Sequence, residues 1–183
     1  MICTFILKFD KGILSFIIFD RGTAPALNLD LGGYTMECRV LVLGHGTISE
    51  DIIRTLKLIV GDFKYFHFIN LPENQDMDSY EKQIESVVRQ NCESGLLIFT
   101  DLLGGSPFTV STRVMRKYWD KKVELITGMN LPMLIEVASN IEDITSTEKI
   151  KKMALDSVNS GIVDFRKRYE SKEQAYENCI VEN

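Results

Sequence analysis

The chain has 183 residues, of which 45% are hydrophobic and 26% are charged, and its formal net charge is −5 at pH 7. This composition is typical of one globular domain and argues against disordered, coiled-coil and collagen-like chains, while the negative charge argues against a nucleic-acid-binding protein. The four cysteines form no Cys-x-x-Cys pair and the two histidines lack metal-ligand spacing, so we expect neither a metal site nor a disulfide framework.

The N-terminal segment, residues 1–35, contains two short apolar runs separated by charged residues. Neither run is long enough to span a membrane, and the placement of the charges matches a secretory signal poorly. Residues 20–35 contain glycine and proline without periodicity, which is typical of a linker. We therefore expect residues 1–35 to be a poorly ordered appendage or an over-extended start, residues 36–165 to be the working domain, and residues 166–183 to be a charged tail.

From Met36 onward, apolar runs that favour strands alternate with segments of helical periodicity. This alternation predicts βαβ units, and so an α/β fold with an open, mostly parallel sheet and helices on both faces in three layers. Right-handed crossovers give the strand order 2-1-3-4, in which the first and third strands are neighbours. The predicted strands are 38–43, 64–71, 96–100 and 123–127, and the predicted helices are 48–60, 80–90, 107–119, 134–138 and a last one from 145 through Phe165.

Capping signals lie at the predicted helix starts. Thr47 and Glu50 match a capping box, and Asp78 begins a similar pattern ahead of the second helix. Ser106 precedes Pro107, and its hydroxyl is open to two interpretations, an N-cap of the third helix or a donor to a ligand.

A histidine and an aspartate follow the first and third predicted strands. His45 lies between two glycines, and Asp101 begins the run Asp-Leu-Leu-Gly-Gly-Ser-Pro-Phe. Either residue alone is more often a turn former than a reactive group. At neighbouring strand ends, however, the two side chains can act together. A neutral imidazole is a good nucleophile toward phosphorus. An acid bonded to its other nitrogen fixes the tautomer and stabilises the positive charge that develops on the ring. The pair therefore predicts a phosphoryl-accepting histidine with an orienting acid.

Phosphoryl oxygens need hydrogen-bond donors, and a helix that begins just after His45 can supply them. His67, by contrast, lies inside the second strand between two phenylalanines and is interpreted as structural. The groups predicted to hold the phosphate are Gly46, Thr47, Ile48, Ser49 and the hydroxyl of Ser106.

These two motifs, with the run Gly-Met-Asn-Leu-Pro-Met-Leu at 128–134, resemble the IIA component of the mannose family of the bacterial phosphoenolpyruvate-dependent sugar phosphotransferase system. His45 matches the phosphoryl-accepting histidine of that family, and Asp101 matches the acid beside it. The resemblance implies a carrier without metal or organic cofactor that receives phosphate from phospho-HPr and passes it to a IIB domain, which serves the membrane components IIC and IID. It also implies a homodimer in the cytoplasm, peripheral to the membrane through that complex.

Two positions depart from the family pattern. Gly44 stands where the family often has Ser or Thr, and Thr109 stands where it commonly has Asn. Two alternatives stay open on the sequence alone. One is the phosphotransfer subunit of a dihydroxyacetone kinase, which would use the same His45, and the other is a non-catalytic binding or regulatory module in which His45 is never phosphorylated.

Overall fold

The computed structural model of the protein describes residues 8–10, 13–15 and 39–169. Contacts within the chain divide it into two units, Met1–Thr35 and Met36–Asn183. In the first unit, the short strands β1 (Lys8–Asp10) and β2 (Ile13–Ser15) pair antiparallel. The remainder of the predicted appendage, and residues 170–183 of the predicted tail, lie outside the described residues.

The second unit is built on a sheet of four parallel strands. The second strand of this unit lies at one edge and is followed by the first, third and fourth, which is the predicted order 2-1-3-4, and the expected α/β fold is confirmed. The two central strands are almost entirely buried because helices cover both of their faces, which explains their unbroken apolar sequences. The strands are β3 (Val40–His45), β4 (Phe66–Leu71), β5 (Leu96–Thr100) and β6 (Val123–Thr127).

The helices form two layers, one on each face of this sheet. Successive strand residues point to opposite faces, so Leu41 and Leu43 enter one hydrophobic cluster with the second and third helices, while Val40 and Val42 enter the other with the first, fourth and fifth. Among the described residues, no helix is both long and apolar enough to cross a membrane. The helices are α1 (Ile48–Val60), α2 (Met77–Asn91), α3 (Ser106–Lys117), α4 (Leu131–Asn140) and α5 (Thr147–Gly161).

The start of α1 is at the predicted place, but the predicted capping box is wrong. Thr47 is the N-cap residue, yet its φ of −106° and ψ of 5° are not the extended values that turn an N-cap side chain toward the helix. Its hydroxyl instead donates to Oδ2 of Asp51 at 2.7 Å, and the carboxylate of Glu50 pairs with Arg54 at 2.8 Å. The backbone N–H groups of this helix start therefore depend on other partners.

Two further helix starts differ from the prediction. Asp76, not Asp78, caps α2, because its extended backbone lets its carboxylate accept the N–H of Ser79 at 2.7 Å. The N-cap of α3 is Gly105, and Ser106 is already the first helical residue, so the interpretation of Ser106 as an N-cap is wrong.

The predicted continuation of the last helix through Ile162 and Phe165 is also wrong. The helix α5 ends at Gly161, since Ile162 adopts an extended backbone with φ of −109° and ψ of 106°. The side chains of Ile162 and Phe165 are 72% and 78% exposed. The spacing of these two residues continues the apolar periodicity of α5, but no helix or strand among the described residues covers their side chains.

Candidate active site

The sheet brings His45 and Asp101 together. His45 is the last residue of β3, and because Leu43 pairs with Thr100, the residue after β5 lies beside the end of β3. Oδ2 of Asp101 accepts the backbone N–H of His45 at 2.8 Å and lies 2.9 Å from Nδ1 of the same residue. The contact predicted from the topology is therefore present, and a single carboxylate oxygen holds both the backbone and the ring of His45.

The hydrogen bonds around Asp101 determine its charge and, through it, the tautomer of His45. Burial would raise the pKa of Asp101, but hydrogen bonds from the backbone and ring of His45, the charge of His45 and the N–H of Leu102 together lower it below its ordinary value. An ionised carboxylate can only accept, so the proton between the two side chains belongs to Nδ1 of His45. In the neutral ring, Nε2 then carries the free lone pair.

The ring of His45 is accessible and the acid is not. The side chain of His45 is 44% exposed, whereas that of Asp101 is 13% exposed. A macromolecular partner can therefore reach the imidazole without displacing its acid. His45 lines a cleft of about 450 Å³, together with Gly46, Leu71, Pro72, Glu73, Gln75, Met77 and Ser106.

The residues predicted to hold the phosphate differ in their surroundings. Ser106 is exposed and lines the same cleft as His45, and Ile48 opens α1 with its side chain 43% exposed. Binding of phosphate by any of the five residues stays a prediction. Three of their donors already give hydrogen bonds within the protein: the N–H of Gly46 to the carbonyl of Leu71 at 2.8 Å, the hydroxyl of Thr47 to Asp51 at 2.7 Å, and that of Ser49 to the carbonyl of Ile69 at 3.3 Å.

Gly44, which stands where the family often has Ser or Thr, lies against a side chain of α1. A Cβ at position 44 would overlap Cγ2 of Ile48 and would lie 3.3 Å from Oδ2 of Asp101. The side chain of Ile48 therefore fills the space that a Ser or Thr at position 44 would need.

Three further residues lie near the pair, and two of them, Asn70 and Tyr80, were not singled out from the sequence as part of the site. Oδ1 of Asn70 accepts the N–H of Glu50 at 3.2 Å, so Asn70 caps α1 in place of the predicted box. Asn70 lies near the carboxyl end of β4, the same signal that identified His45 and Asp101. Gly105 contacts the ring of His45. Tyr80, expected only as a core position, is fully buried, and burial together with the charge of Asp101 raises the pKa of its hydroxyl.

His67 lies apart from this pair, in β4. Its ring stacks on Phe68 with 6.2 Å between centroids, and burial lowers its pKa. Within residues 39–169 and the two short strands, no group of three or more His, Cys, Asp or Glu side chains is arranged to hold a metal ion.

Comparison with known families gives a match over most of the second unit. The sequence model of the family described as "PTS system fructose IIA component" matches residues 39–154. The sorbose-specific EIIA component of Lacticaseibacillus casei is 26% identical over 114 residues, which cover 62% of this chain and 81% of that protein. The mannose-specific EIIAB component of Escherichia coli K12 is 25% identical over 129 residues, which cover 69% of this chain but only 39% of that longer protein.

Solved structures agree with these sequence matches. The phosphotransferase system component EIIA from Streptococcus agalactiae superposes with a TM-score of 0.65 and 29% identity, covering 71% of this chain and 98% of that one. The mannose/sorbose-specific IIA subunit from Enterococcus faecalis gives a TM-score of 0.62 at 18% identity, covering 71% and 96%, and that likeness supports the fold.

Proposed function

The chain belongs to the mannose-type EIIA family of the sugar phosphotransferase system, and on that premise we propose that His45 carries the phosphoryl group. The observation that carries this proposal is the 2.9 Å contact between Nδ1 of His45 and Asp101. This contact favours a proton on Nδ1 and a lone pair on Nε2 of an exposed ring. A nucleophile toward phosphorus needs that arrangement.

The reaction follows from this tautomer. The lone pair of Nε2 attacks the phosphorus of a phosphohistidine on the donor, a new N–P bond forms, and the electron pair of the donor's N–P bond returns to the donor ring. Nδ1 keeps its proton, so positive charge develops on the ring of His45, and the ionised Asp101 stabilises it. Transfer to the next acceptor is the same step in reverse. Since donor and acceptor bonds are similar, catalysis consists mainly of positioning and charge stabilisation.

We propose that phospho-HPr is the donor and a IIB domain is the acceptor. Both are proteins, and the turns that carry His45 and Asp101 expose large apolar side chains that suit a protein surface: Ile48 is 43%, Leu102 59% and Leu103 70% exposed. The name of the E. coli relative joins an A and a B component, which supports a IIB acceptor. No observation favours the dihydroxyacetone kinase subunit or a binding module.

The proposed carrier comprises residues 36–165 and acts in the cytoplasm, reaching the membrane only through IIB, IIC and IID. We also propose that it is a homodimer. The strand β6 lies at an edge of the sheet, where it can accept another strand. The segment after α5 exposes Phe165 by 78% and Tyr169 by 54%, which a second copy would cover. Light scattering should give the mass of a dimer for the wild type and of a monomer for Phe165→Asp; equal masses would refute this surface.

The decisive experiment incubates the purified protein with phosphoenolpyruvate, enzyme I and HPr and measures its intact mass. We expect one acid-labile phosphate on the wild type and on His67→Ala, and none on His45→Ala. His67→Ala is the matched control because it removes the chain's other histidine. Phosphate that persists on His45→Ala would refute the site, and no phosphate on the wild type would favour the binding module. Loss of the phosphate on addition of a IIB domain tests the acceptor.

A further inference from the structure

Gly105, the N-cap residue of α3, lies against the ring of His45. A Cβ at this position would lie 2.7 Å from Cε1 and 3.4 Å from Nε2 of that ring. Nonbonded carbon atoms prefer a separation of about 3.5–4.0 Å, so even the methyl group of alanine would overlap the imidazole. The absence of a side chain at position 105 is therefore a condition for the observed position of the ring.

The neighbouring Gly104 is a glycine for a different reason. Its φ is +78°, in the left-handed region that disfavours other residues, and a Cβ there would meet nothing within 4 Å. Gly105 has a φ of −67° and a ψ of 168°, values that any residue can adopt. Backbone conformation thus explains Gly104, whereas the space at Gly105 is limited by His45 and by the carbonyl of Leu102, 3.3 Å from the same Cβ.

The ring of His45 has limited support elsewhere. Its side chain is 44% exposed, and among the described residues its ring forms one hydrogen bond, which Nδ1 donates to Oδ2 of Asp101. Gly105 touches the Cε1 and Nε2 side, so these two residues hold the ring from different sides. A methyl group at position 105 has to be accommodated by moving the ring away from Asp101 or by moving the start of α3.

We propose that Gly105 is a positioning residue, whose bare Cα lets the start of α3 pack on the imidazole of His45, keeping Nδ1 on Asp101 and Nε2 open to phosphorus. The part of this inference that concerns phosphoryl transfer rests on the proposed function. The part that concerns the ring does not, and the two parts have separate tests.

The first test is a stability cycle that needs no phosphate. Gly105→Ala should lower the melting temperature by about 3–6 °C with His45 in place, and by less than half as much in His45→Ala, where the overlap with the ring is gone. Equal losses in the two backgrounds would overturn the proposal. If Gly105→Ala alone does not fold, we expect the double variant to fold, and a double variant that also fails would overturn it.

The second test measures transfer to Gly105→Ala from phospho-HPr and from phosphoramidate, a small donor with the same type of bond. Transfer from both donors should slow by about tenfold or more, because a small displacement of a reacting atom is costly. Gly104→Ala is the control: it should lose about 2–4 °C in melting temperature but keep both rates within about twofold. Slowing with phospho-HPr alone would assign Gly105 to partner docking and overturn the proposal.

A third measurement reads the ring directly. Nitrogen-15 spectra of His45 should show the proton on Nδ1 in the wild type and in Gly104→Ala, and a mixture of tautomers in Gly105→Ala. Identical spectra for all three proteins would overturn the proposal, whether or not the protein accepts phosphate. If the wild type takes no phosphate while the stability cycle and the spectra behave as expected, the proposed function fails and the positioning of the ring by Gly105 stands.

Discussion

The two strand-to-helix turns that meet at the site are built differently. The first turn, residues 44–48, carries the nucleophile, and two donors beside it are used inside the protein: the N–H of Gly46 donates to the carbonyl of Leu71 and the hydroxyl of Thr47 donates to Asp51. The second turn, residues 101–106, carries the acid, the glycine that contacts the ring, and an exposed serine hydroxyl beside the cleft. One turn is fixed by internal bonds, and the other presents groups to the nucleophile.

Because of this difference, substitutions in the two turns should affect different properties, the rate of phosphoryl transfer and the stability of the protein. Substitutions of the second-turn residues that contact His45 or line its cleft, which are Asp101, Gly105 and Ser106, should act mainly on phosphoryl transfer. Substitutions among the internal bonds of the first turn should act mainly on stability, since those bonds hold the start of α1. Single substitutions in each turn can test this division.

Asp101→Asn should slow transfer to His45 by about a hundredfold or more, since a neutral amide cannot stabilise the positive ring. Both oxygens of Asp101 accept: Oδ2 from the N–H and ring of His45, and Oδ1 from the N–H of Leu102 at 2.8 Å. An amide nitrogen in either place faces a donor, so we also expect a loss of about 1–2 kcal/mol in stability. Quench-flow with phospho-HPr measures the rate, and urea unfolding measures the stability.

Asp101→Glu is the control that keeps the negative charge but changes its position, because it keeps the carboxylate and lengthens the side chain. Its transfer should be faster than that of Asp101→Asn. A wild-type rate for Asp101→Asn would mean that the acid plays no part in the reaction and would remove the distinction between the two turns.

Ser106→Ala should slow transfer by about tenfold, because a hydrogen bond to a charged group contributes about 1.5 kcal/mol or more. Thr47→Val, the corresponding change in the first turn, should slow it by less than about threefold, because its hydroxyl already donates to Asp51 at 2.7 Å. The same phosphorylation assay compares the two. If both variants transfer phosphate at the wild-type rate, neither hydroxyl holds the phosphate, and backbone groups hold it instead. If Thr47→Val slows transfer more than Ser106→Ala does, the comparison between the two turns is reversed.

Much of the fold was predictable from the sequence because its signals are strong and mutually consistent. Alternating strands and helices, together with right-handed crossovers, give the order β4-β3-β5-β6 that the structure shows. The helix starts were less predictable. Thr47 and Ser106 have the residue types of N-caps, but whether such a side chain bonds to the backbone depends on local dihedral angles that the sequence does not specify.

The sequence predicted that the site lies at two neighbouring strand ends, but it did not predict the individual contacts there. Topology alone places His45 beside Asp101. It does not show that Asn70, and not the hydroxyl of Thr47, accepts the N–H of Glu50 at the start of α1, because this contact depends on the register of β4 against β3. The sequence also did not predict the different roles of Gly104 and Gly105, since one role arises from a backbone angle and the other from contact with a residue distant in the chain.

Asn70→Ala should reduce stability by about 1 kcal/mol, as expected for loss of a helix cap, because the N–H of Glu50 loses its acceptor at 3.2 Å. Its transfer rate should stay within about twofold of the wild type once both are measured well below their melting temperatures. Ser106→Ala should show the opposite pattern, with slow transfer and nearly unchanged unfolding in urea. If Asn70→Ala instead slows transfer as much as Ser106→Ala does, the first turn also acts on the reaction.

The smallest effect is the pH dependence of the stability that Asp101 contributes. Its pKa is lowered in the folded protein, so its contribution is fully present above the ordinary pKa of a carboxyl group, about 3.9, and is lost as the pH falls through the lowered value. The difference in unfolding free energy between the wild type and Asp101→Asn should therefore shrink as the pH falls below about pH 4. Repeating the series in His45→Ala leaves only the backbone donors on Asp101, and a smaller difference there would measure how much of the stabilisation comes from the ring.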